Sequence, residues 1–377
     1  MQPARRRGRL DDVPSADPAD PAPPVAPPRR VLVTGASGNV GTALLRRLAA
    51  EGVEVSAVAR RVPRPRDSPA TGARWHGIDL AQRWAVPALR EAMADVDAVV
   101  HLAWAIQPSH DERRTEATNV GGTRHVVEAA LDAGVPHLVH ASSVGAYAAA
   151  PGRLVDEDHP HTGMPTSGYS RHKAAAEAVL DDLEASPRGR RLVVSRVRPG
   201  LVMQREAGPE IARYFAGPLL PARLLGRLPL PVLPVPAALT FQVVHADDLA
   251  DAFWRVLATR LPGAVNVAAD PPLTADDLAR ALGAGRALDV PVAAVRVLAD
   301  ATWRLHLQPT GPGWVDLAAG VPFMSTERAR TALGWAPAVA PVAALADLVA
   351  GMRSGAGAPT APLRRRGPLA GRHEPTS

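Results

Sequence analysis

The 377-residue chain predicts a doubly wound parallel α/β sheet with a smaller C-terminal lobe, and three observations carry that prediction. Brief apolar, β-branched runs recur along the chain, stretches of helical periodicity separate them, and a glycine-rich turn follows the first run. Strands alternating with helices give a parallel sheet covered on both faces.

The first run ends at Thr34, glycines follow, and Val40, Leu44, Leu45 and Leu48 then repeat at helical spacing, which reads as strand, tight turn and helix. Residues 53–58, 97–102, 138–141 and 192–197 are further short apolar runs, with helical stretches at 119–133 and 169–184 between them. After Pro199 and Gly200 the alternation gives way to a Pro- and Leu-rich stretch. It returns at 241–257 and 264–268, a helix is expected over 274–288, and the smaller lobe runs on toward Pro337. Residues 30–200 with 241–269 therefore form the sheet core, and 201–240 with 270–352 a substrate-binding lobe. Residues 1–29 are rich in Pro, Ala, Asp and Arg and residues 353–377 in Gly, Pro and Arg; neither offers an apolar face, so both are expected to be disordered tails.

Composition excludes several classes of function. Without cysteine there is no disulfide framework, thiolate metal site or cysteine nucleophile, and a cytoplasmic location is expected. The net charge of +6 sits in the two tails, leaving the body neutral and without the interleaved basic and aromatic residues of a nucleic-acid surface. The most apolar stretch, 218–241, carries Arg223, Arg227 and six prolines, which suits a loop lining a pocket better than a membrane-inserted helix. His159 and His161 lie near Asp156, Glu157 and Asp158 without a register that converges four ligands, so no metal is expected. Asp247 and Asp248 are expected to cap a helix beginning near Leu249.

Gly35, Gly38 and Gly41 open the first helix directly after the first strand. A pyrophosphate needs such a turn: a tight bend, bare backbone, and helix N-terminal N–H groups aimed at its charge. The second strand lacks the carboxylate that would bind an adenosine ribose and ends instead in Arg60 and Arg61. Two guanidiniums suit a 2′-phosphate, which favours NADP over NAD.

Lys173 is the only lysine in the chain and stands four residues after Tyr169, one of three tyrosines, so one helix face presents both. A phenol with a pKa near ~10 is a sluggish base at neutral pH, and a neighbouring ammonium favours its phenolate. A compact ammonium also suits a ribose hydroxyl better than a planar guanidinium does. Ser142 and Ser143 follow the strand at 138–141, and a hydroxyl from either can meet the reacting oxygen beside the tyrosine.

Together these residues resemble the extended short-chain dehydrogenase/reductases, the group of NAD-dependent sugar epimerases and dehydratases, 3β-hydroxysteroid dehydrogenases and dihydroflavonol reductases. The similarity runs from about Val31 to Pro337, through Tyr169-Ser-Arg-His-Lys173, Arg198-Pro199-Gly200 and Leu333-Gly-Trp-Ala-Pro337. It implies a Rossmann sheet with Gly35, Ser37, Gly38, Asn39, Val40 and Gly41 around the pyrophosphate, and Asp79 and Leu80 beside the adenine. Leu102, Ala103, Asn119 and Pro199 would line the cofactor, together with Tyr169 and Lys173. Aligning Ser143 and Tyr147 on the family's strand-end pattern selects Ser143 over Ser142 as the catalytic serine. In such enzymes the tyrosine exchanges a proton with the substrate oxygen, the serine orients that oxygen, and the lysine tunes the tyrosine and holds the nicotinamide ribose. Homodimers through helices flanking the sheet are common among them.

Two departures bear on the substrate. Trp104 stands where the family has a small residue beside the nicotinamide, and 201–241 holds few polar groups for a nucleotide diphosphate, although Arg213, Arg223 and Arg227 are available. The expected function is NAD(P)-dependent hydride transfer at the secondary alcohol or ketone of a small, fairly apolar molecule. The alternatives are a sugar-nucleotide epimerase or dehydratase that recycles NAD, and a non-catalytic dinucleotide sensor, for which the Ser143, Tyr169 and Lys173 set would have no chemical use.

Overall fold

The computed structural model describes residues 26–106, 110–215, 230–308 and 310–364. Its strands are β1 (Arg30–Thr34), β2 (Glu54–Ala59), β3 (Arg74–Gly77), β4 (Ala98–His101), β5 (His137–Ala141), β6 (Leu154–Val155) and β7 (Val193–Pro199), followed by β8 (Leu201–Met203), β9 (Leu230–Pro234), β10 (Phe241–His245), β11 (Gly263–Val267), β12 (Ala269–Leu273), β13 (Ala284–Leu288) and β14 (Phe323–Met324). Seven of them form one sheet in the order β11-β7-β5-β4-β1-β2-β3, with every neighbouring pair parallel. Parallel neighbours need crossovers, which α1 (Asn39–Ala50), α2 (Ala85–Ala92), α3 (Glu112–Glu116), α4 (Gly122–Asp132), α5 (Gly168–Ala185) and the helix Ala246–Thr259 supply.

β1 shows how the two faces are covered. Val31 and Val33 join a cluster with Leu44, Leu45, Phe253 and Val256, whereas Leu32 between them joins Leu89, Val126 and Leu180. Alternate side chains of one strand thus enter different layers, and each such side chain contributes roughly 1.5–3 kcal/mol on full burial. The chain builds outward from β1 through β2 to β3, then returns to place β4 on the other side of β1. That reversal opens a crevice at the carboxyl ends of β1 and β4, where doubly wound sheets bind ligands.

The smaller lobe adds a three-stranded sheet, β12-β10-β8, and the parallel pair β13-β9. β10 belongs to this lobe rather than to the main sheet, so the 241–269 segment divides between the two. The helix expected over 274–288 is Ala275–Ala281, opened by a Thr274 and Asp277 capping box. Gly283 then takes a left-handed φ of 86° and the chain turns into β13. Asp247 and Asp248 do not cap the following helix. His245 holds that position, Asp247 pairs with Arg46 at 2.9 Å, and the Asp248 carboxylate accepts from the Ala338 and Val339 N–H groups at 3.1 and 2.9 Å.

Both expected tails are ordered where they meet the body. The Arg29 N–H donates to Asp97 at 2.7 Å. At the other end the helix Pro341–Ser354 stops at Gly355 in a left-handed conformation, and the chain folds back to bury Thr360 and Leu363. Leu363 packs with Met203, Leu345 and Leu348, Ala358 packs against the same cluster, and Ala356 and Thr360 are buried, so a stretch whose composition signals disorder is held to the body by several small contacts. Residues 1–25 and 365–377, and half of the apolar stretch 218–241, lie outside the described residues. Among the described residues no helix is long and apolar enough to cross a membrane.

Three buried histidines lie on the central strands. His101 meets the Thr34 hydroxyl at 2.7 Å and that of Thr123 at 3.1 Å, His137 meets Ser195 at 2.8 Å, and both ring nitrogens of His140 lack a hydrogen-bond partner among the described residues. Burial, with nearby cations adding to it, pushes His101 down to about 3 and His137 to about 4. Burial pushes His140 well below its ordinary value too. Below about pH 6.5 the unfolded chain takes up protons that the folded protein refuses, so stability present at neutral pH is lost on acidification. Urea unfolding should therefore show a loss on the order of 4 kcal/mol between about pH 7.5 and about pH 5.5 from these three groups. An unchanged stability over that interval would contradict their burial as neutral imidazoles.

Candidate active site

Ser143 follows β5 on an extended backbone, and its hydroxyl accepts from the Gly145 N–H at 3.0 Å, capping the short turn Val144–Ala146. α5 begins at the Ser167 cap, which puts Tyr169 in its first turn, Lys173 one turn later and Glu177 one turn beyond, all on one face. The Tyr169 ring and the Ser143 hydroxyl meet at Gly145, where an added Cβ would lie close to both. The Tyr169 ring packs against Gly145, where a Cβ would lie 2.9 Å from its Cε1. Burial of the hydroxyl pushes Tyr169 up to about 12, against the smaller opposing effect of Ser143.

Lys173 is buried. Its Nζ donates to the Ala141 carbonyl at 2.7 Å and lies 3.5 Å from the centroid of the Trp104 indole, but 6.0 Å from that of the Tyr169 ring. Burial pushes Lys173 down to about 7, with Glu177 pulling the other way. Trp104 also stands edge-on to Tyr169, with centroids 6.2 Å apart, so the indole packs against both the lysine and the tyrosine ring.

Glu177 is fully buried beneath this face. It receives the Arg198 Nε at 2.8 Å and Nη2 at 2.5 Å, and Ser142 donates to it at 2.5 Å. Ser142 is therefore turned inward while Ser143 faces the tyrosine. Burial alone would raise the Glu177 carboxyl, but the hydrogen bonds and charge of Arg198, with Ser142 and Arg196, outweigh it and hold the group below the usual carboxylate range. Sequence reasoning passed over Glu177 and Gly145. Glu177 continues the four-residue spacing from Tyr169 to Lys173, a signal that was present, while nothing in the sequence marks Gly145 as the tyrosine's seat.

The remaining expected cofactor residues fall into three groups. In the turn, Gly35 has a φ of 69° and a Cβ there would lie 2.6 Å from the Ala103 nitrogen. A Cβ on Gly41 would collide with the Gly35 carbonyl oxygen. Gly38 is the N-cap of α1 and no side chain caps that helix. Ser37, Leu102 and Ala103 border the same crevice, and the Leu102 and Ala103 N–H groups donate to Thr34 at 3.2 and 3.3 Å. Arg60 and Arg61 are exposed just beyond β2.

Other residues are engaged in the fold itself. Asn39 donates to the Val202 carbonyl at 3.3 Å and accepts from Gln204 at 2.6 Å, fastening α1 to the smaller lobe. Val40 packs against the core, Leu80 is buried in it, and Asp79 accepts from the Ala81 N–H at 3.1 Å. Asn119 accepts from the Ala105 N–H at 2.7 Å, bracing the segment after β4. Pro199 is buried at the end of β7, paired with Val267.

A cleft of about 320 Å³ opens on Tyr169, walled by Ala105, Ile106, His172, Trp303 and Trp314. The bare glycine turn and the uncapped end of α1 fit a dinucleotide pyrophosphate. Tyr169 lines this cleft with Ser143 close by, and a tyrosine hydroxyl can pass a proton to or from an oxygen seated against it.

A model of the NAD dependent epimerase/dehydratase family matches residues 31–268, and the chain belongs to that family of NAD(P)-dependent enzymes. It is 33% identical over 323 residues to a 3-diazoavenalumate denitrifying reductase of Streptomyces sp, covering 82% of this chain and 96% of that one. It is 32% identical over 324 residues to the dTDP-6-deoxy-L-talose 4-dehydrogenase (NAD(P)(+)) of Kitasatospora kifunensis, covering 83% and 92%. The fold is similar to that of the Thermus thermophilus UDP-glucose 4-epimerase in complex with NAD, with a TM-score of 0.64 and 25% identity over 86% of this chain and 99% of that one.

Gly145→Ala tests the tyrosine's seat. The added Cβ must push the Tyr169 ring away from Ser143, and a displacement of about 1 Å can cost about 100-fold in turnover. The expected outcome is a loss of that order with nucleotide affinity unchanged; wild-type turnover in the variant would show that the glycine does not position the ring.

Proposed function

We propose that this member of the family is an NADP-dependent oxidoreductase that interconverts a ketone and a secondary alcohol, with Tyr169 as the acid and base. The carrying observation is that Tyr169, which lines the cleft, meets Ser143 at Gly145 one helical turn before the buried Lys173. With Tyr169 pushed up to about 12, its hydroxyl keeps its proton at neutral pH and is poised to donate.

In the reducing direction Ser143 and Tyr169 hydrogen-bond the carbonyl oxygen of the substrate. Bound NADPH supplies the hydride. As the carbonyl carbon accepts it, the Tyr169 proton moves to the oxygen, giving the alcohol and a tyrosinate that bulk water reprotonates. Lys173 would stabilise that anion and hold the nicotinamide ribose when the cofactor is bound, with the Trp104 indole lying against its Nζ. Gly35, Gly38 and Gly41 would admit the pyrophosphate to the N-terminus of α1, while Arg60 and Arg61 would clamp the 2′-phosphate.

Net oxidoreduction is supported by the relatives named as a reductase and as a dehydrogenase, each matched over most of its length. Recycling of tightly held NAD is the second reading, supported by the likeness to the UDP-glucose 4-epimerase complex.

Two experiments separate these assignments. Tyr169→Phe should lower turnover at least about 1,000-fold, within the range that general acid–base groups contribute, while NADPH affinity stays close to wild type; surviving activity would remove Tyr169 from the acid and base role. Replacing both Arg60 and Arg61 with Ala should weaken NADPH about tenfold or more, as loss of charge-assisted phosphate contacts would, and leave NADH unchanged. Equal losses for the two cofactors would refute the phosphate clamp.

A further inference from the structure

We infer that the cleft above Tyr169 takes a planar aromatic ketone or alcohol, held against the indoles of Trp314 and Trp303, rather than a nucleotide sugar. This substrate class rests on the oxidoreductase reading of Tyr169 above.

The walls are flat rings held in place by backbone packing. The Trp314 ring lies 5.2 Å from that of Tyr169, tilted by 36°. Its helix, Pro312–Gly320, presses on the segment before α5, since a Cβ on Gly313 would collide with the Thr166 carbonyl oxygen. The rings of Trp314 and Tyr169 are thus set relative to each other by main-chain contact. Across the cleft Trp303 stacks on His110 with centroids 4.6 Å apart and planes 17° apart, and His110 stacks in turn on His306 at 4.4 Å. Aromatic faces favour offset-stacked or edge-on aromatic partners.

Charge and size point the same way. Arg171 is the only Lys or Arg among the described residues that line the cleft. It is ion-paired to Glu112 and donates to the Pro165 carbonyl at 2.6 Å. Cationic donors that are not already neutralised favour a diphosphate, and the cleft lining supplies none among the described residues. A volume of about 320 Å³ stands at the small end of ligand pockets, which span roughly 300–1,000 Å³, and suits one or two fused rings better than a nucleoside diphosphate with its sugar.

The test is binding to the full-length protein saturated with NADP⁺, where a ketone cannot be reduced. By calorimetry, 2-acetylnaphthalene should bind at least about tenfold tighter than cyclohexyl methyl ketone, and UDP-glucose should give no heat. Trp314→Ala should weaken 2-acetylnaphthalene about tenfold, and Trp314→Phe should restore it to within about threefold, as stacking by any aromatic ring would. Should Trp314→Ala fail to fold, Trp303→Ala is read in its place. UDP-glucose binding tighter than the aryl ketone, no preference for the aryl ketone over the cyclohexyl one, or an unchanged affinity in the alanine variant would each overturn the inference. Because binding is read without turnover, an aryl ketone that binds as expected but is not reduced with NADPH would leave the aromatic site standing and count against the oxidoreductase reading.

Discussion

The buried pair of Glu177 and Arg198 is the constraint on which the site depends. Glu177 rises from α5, Arg198 from β7, and the carboxylate also takes the Ser142 hydroxyl at the end of β5, so one charge ties together the three elements that carry or flank the catalytic set. Arg198 extends the connection by donating to the Tyr147 hydroxyl and to the Glu157 carbonyl, both at 3.0 Å. Tyr147 then donates to Asn266 on β11 at 2.7 Å. Removing one partner of such a pair leaves an uncompensated buried charge, which costs about 3–5 kcal/mol. The fully satisfied network therefore holds α5 in a single position against the sheet.

From that anchor the chemistry follows by helical geometry. Lys173 stands one turn above Glu177, and the carboxylate partly offsets the burial that would otherwise strip its proton. Tyr169 stands one turn higher, where its ring meets the bare backbone of Gly145 and its hydroxyl meets Ser143. The sheet contributes the complementary half. Strand order reverses at β1 and β4, the glycine turn lies in the resulting crevice, and Gly35 has room for no side chain because Ala103 closes on it. Tyr169, Ser143 and the glycine turn thus share the carboxyl edge of one sheet, where doubly wound folds bind ligands.

Features carried by local pattern were legible in the sequence, whereas those set by tertiary contact were not. The strand runs, the glycine turn and the spacing of Tyr169 and Lys173 are local signals, and the main sheet and the catalytic face of α5 follow them. Short β3 lacks a clear apolar run, and β13 sits in an Ala, Gly and Arg sequence that also suits a helix. Only Gly283 and the pairing with β9 decide its state. The order in residues 355–364 depends on Leu363 and Ala358 packing among distant helices. Family resemblance placed Asn39, Leu80 and Asn119 around a cofactor, but their side chains in this structure brace the lobe, the core and the segment after β4. The aromatic walls were the least visible part, because Trp303 and Trp314 lie far along the chain from Tyr169 and no spacing rule connects them.

Net oxidoreduction at an outside substrate requires that the cofactor enter and leave with each turnover. The purified protein can be denatured and any released nucleotide identified by chromatography and mass. No stoichiometric nucleotide is expected, and the emptied protein should bind NADPH more tightly than NADH. One equivalent of NAD⁺ retained through purification would contradict net oxidoreduction and point to a reaction that takes a hydride and returns it to the same molecule.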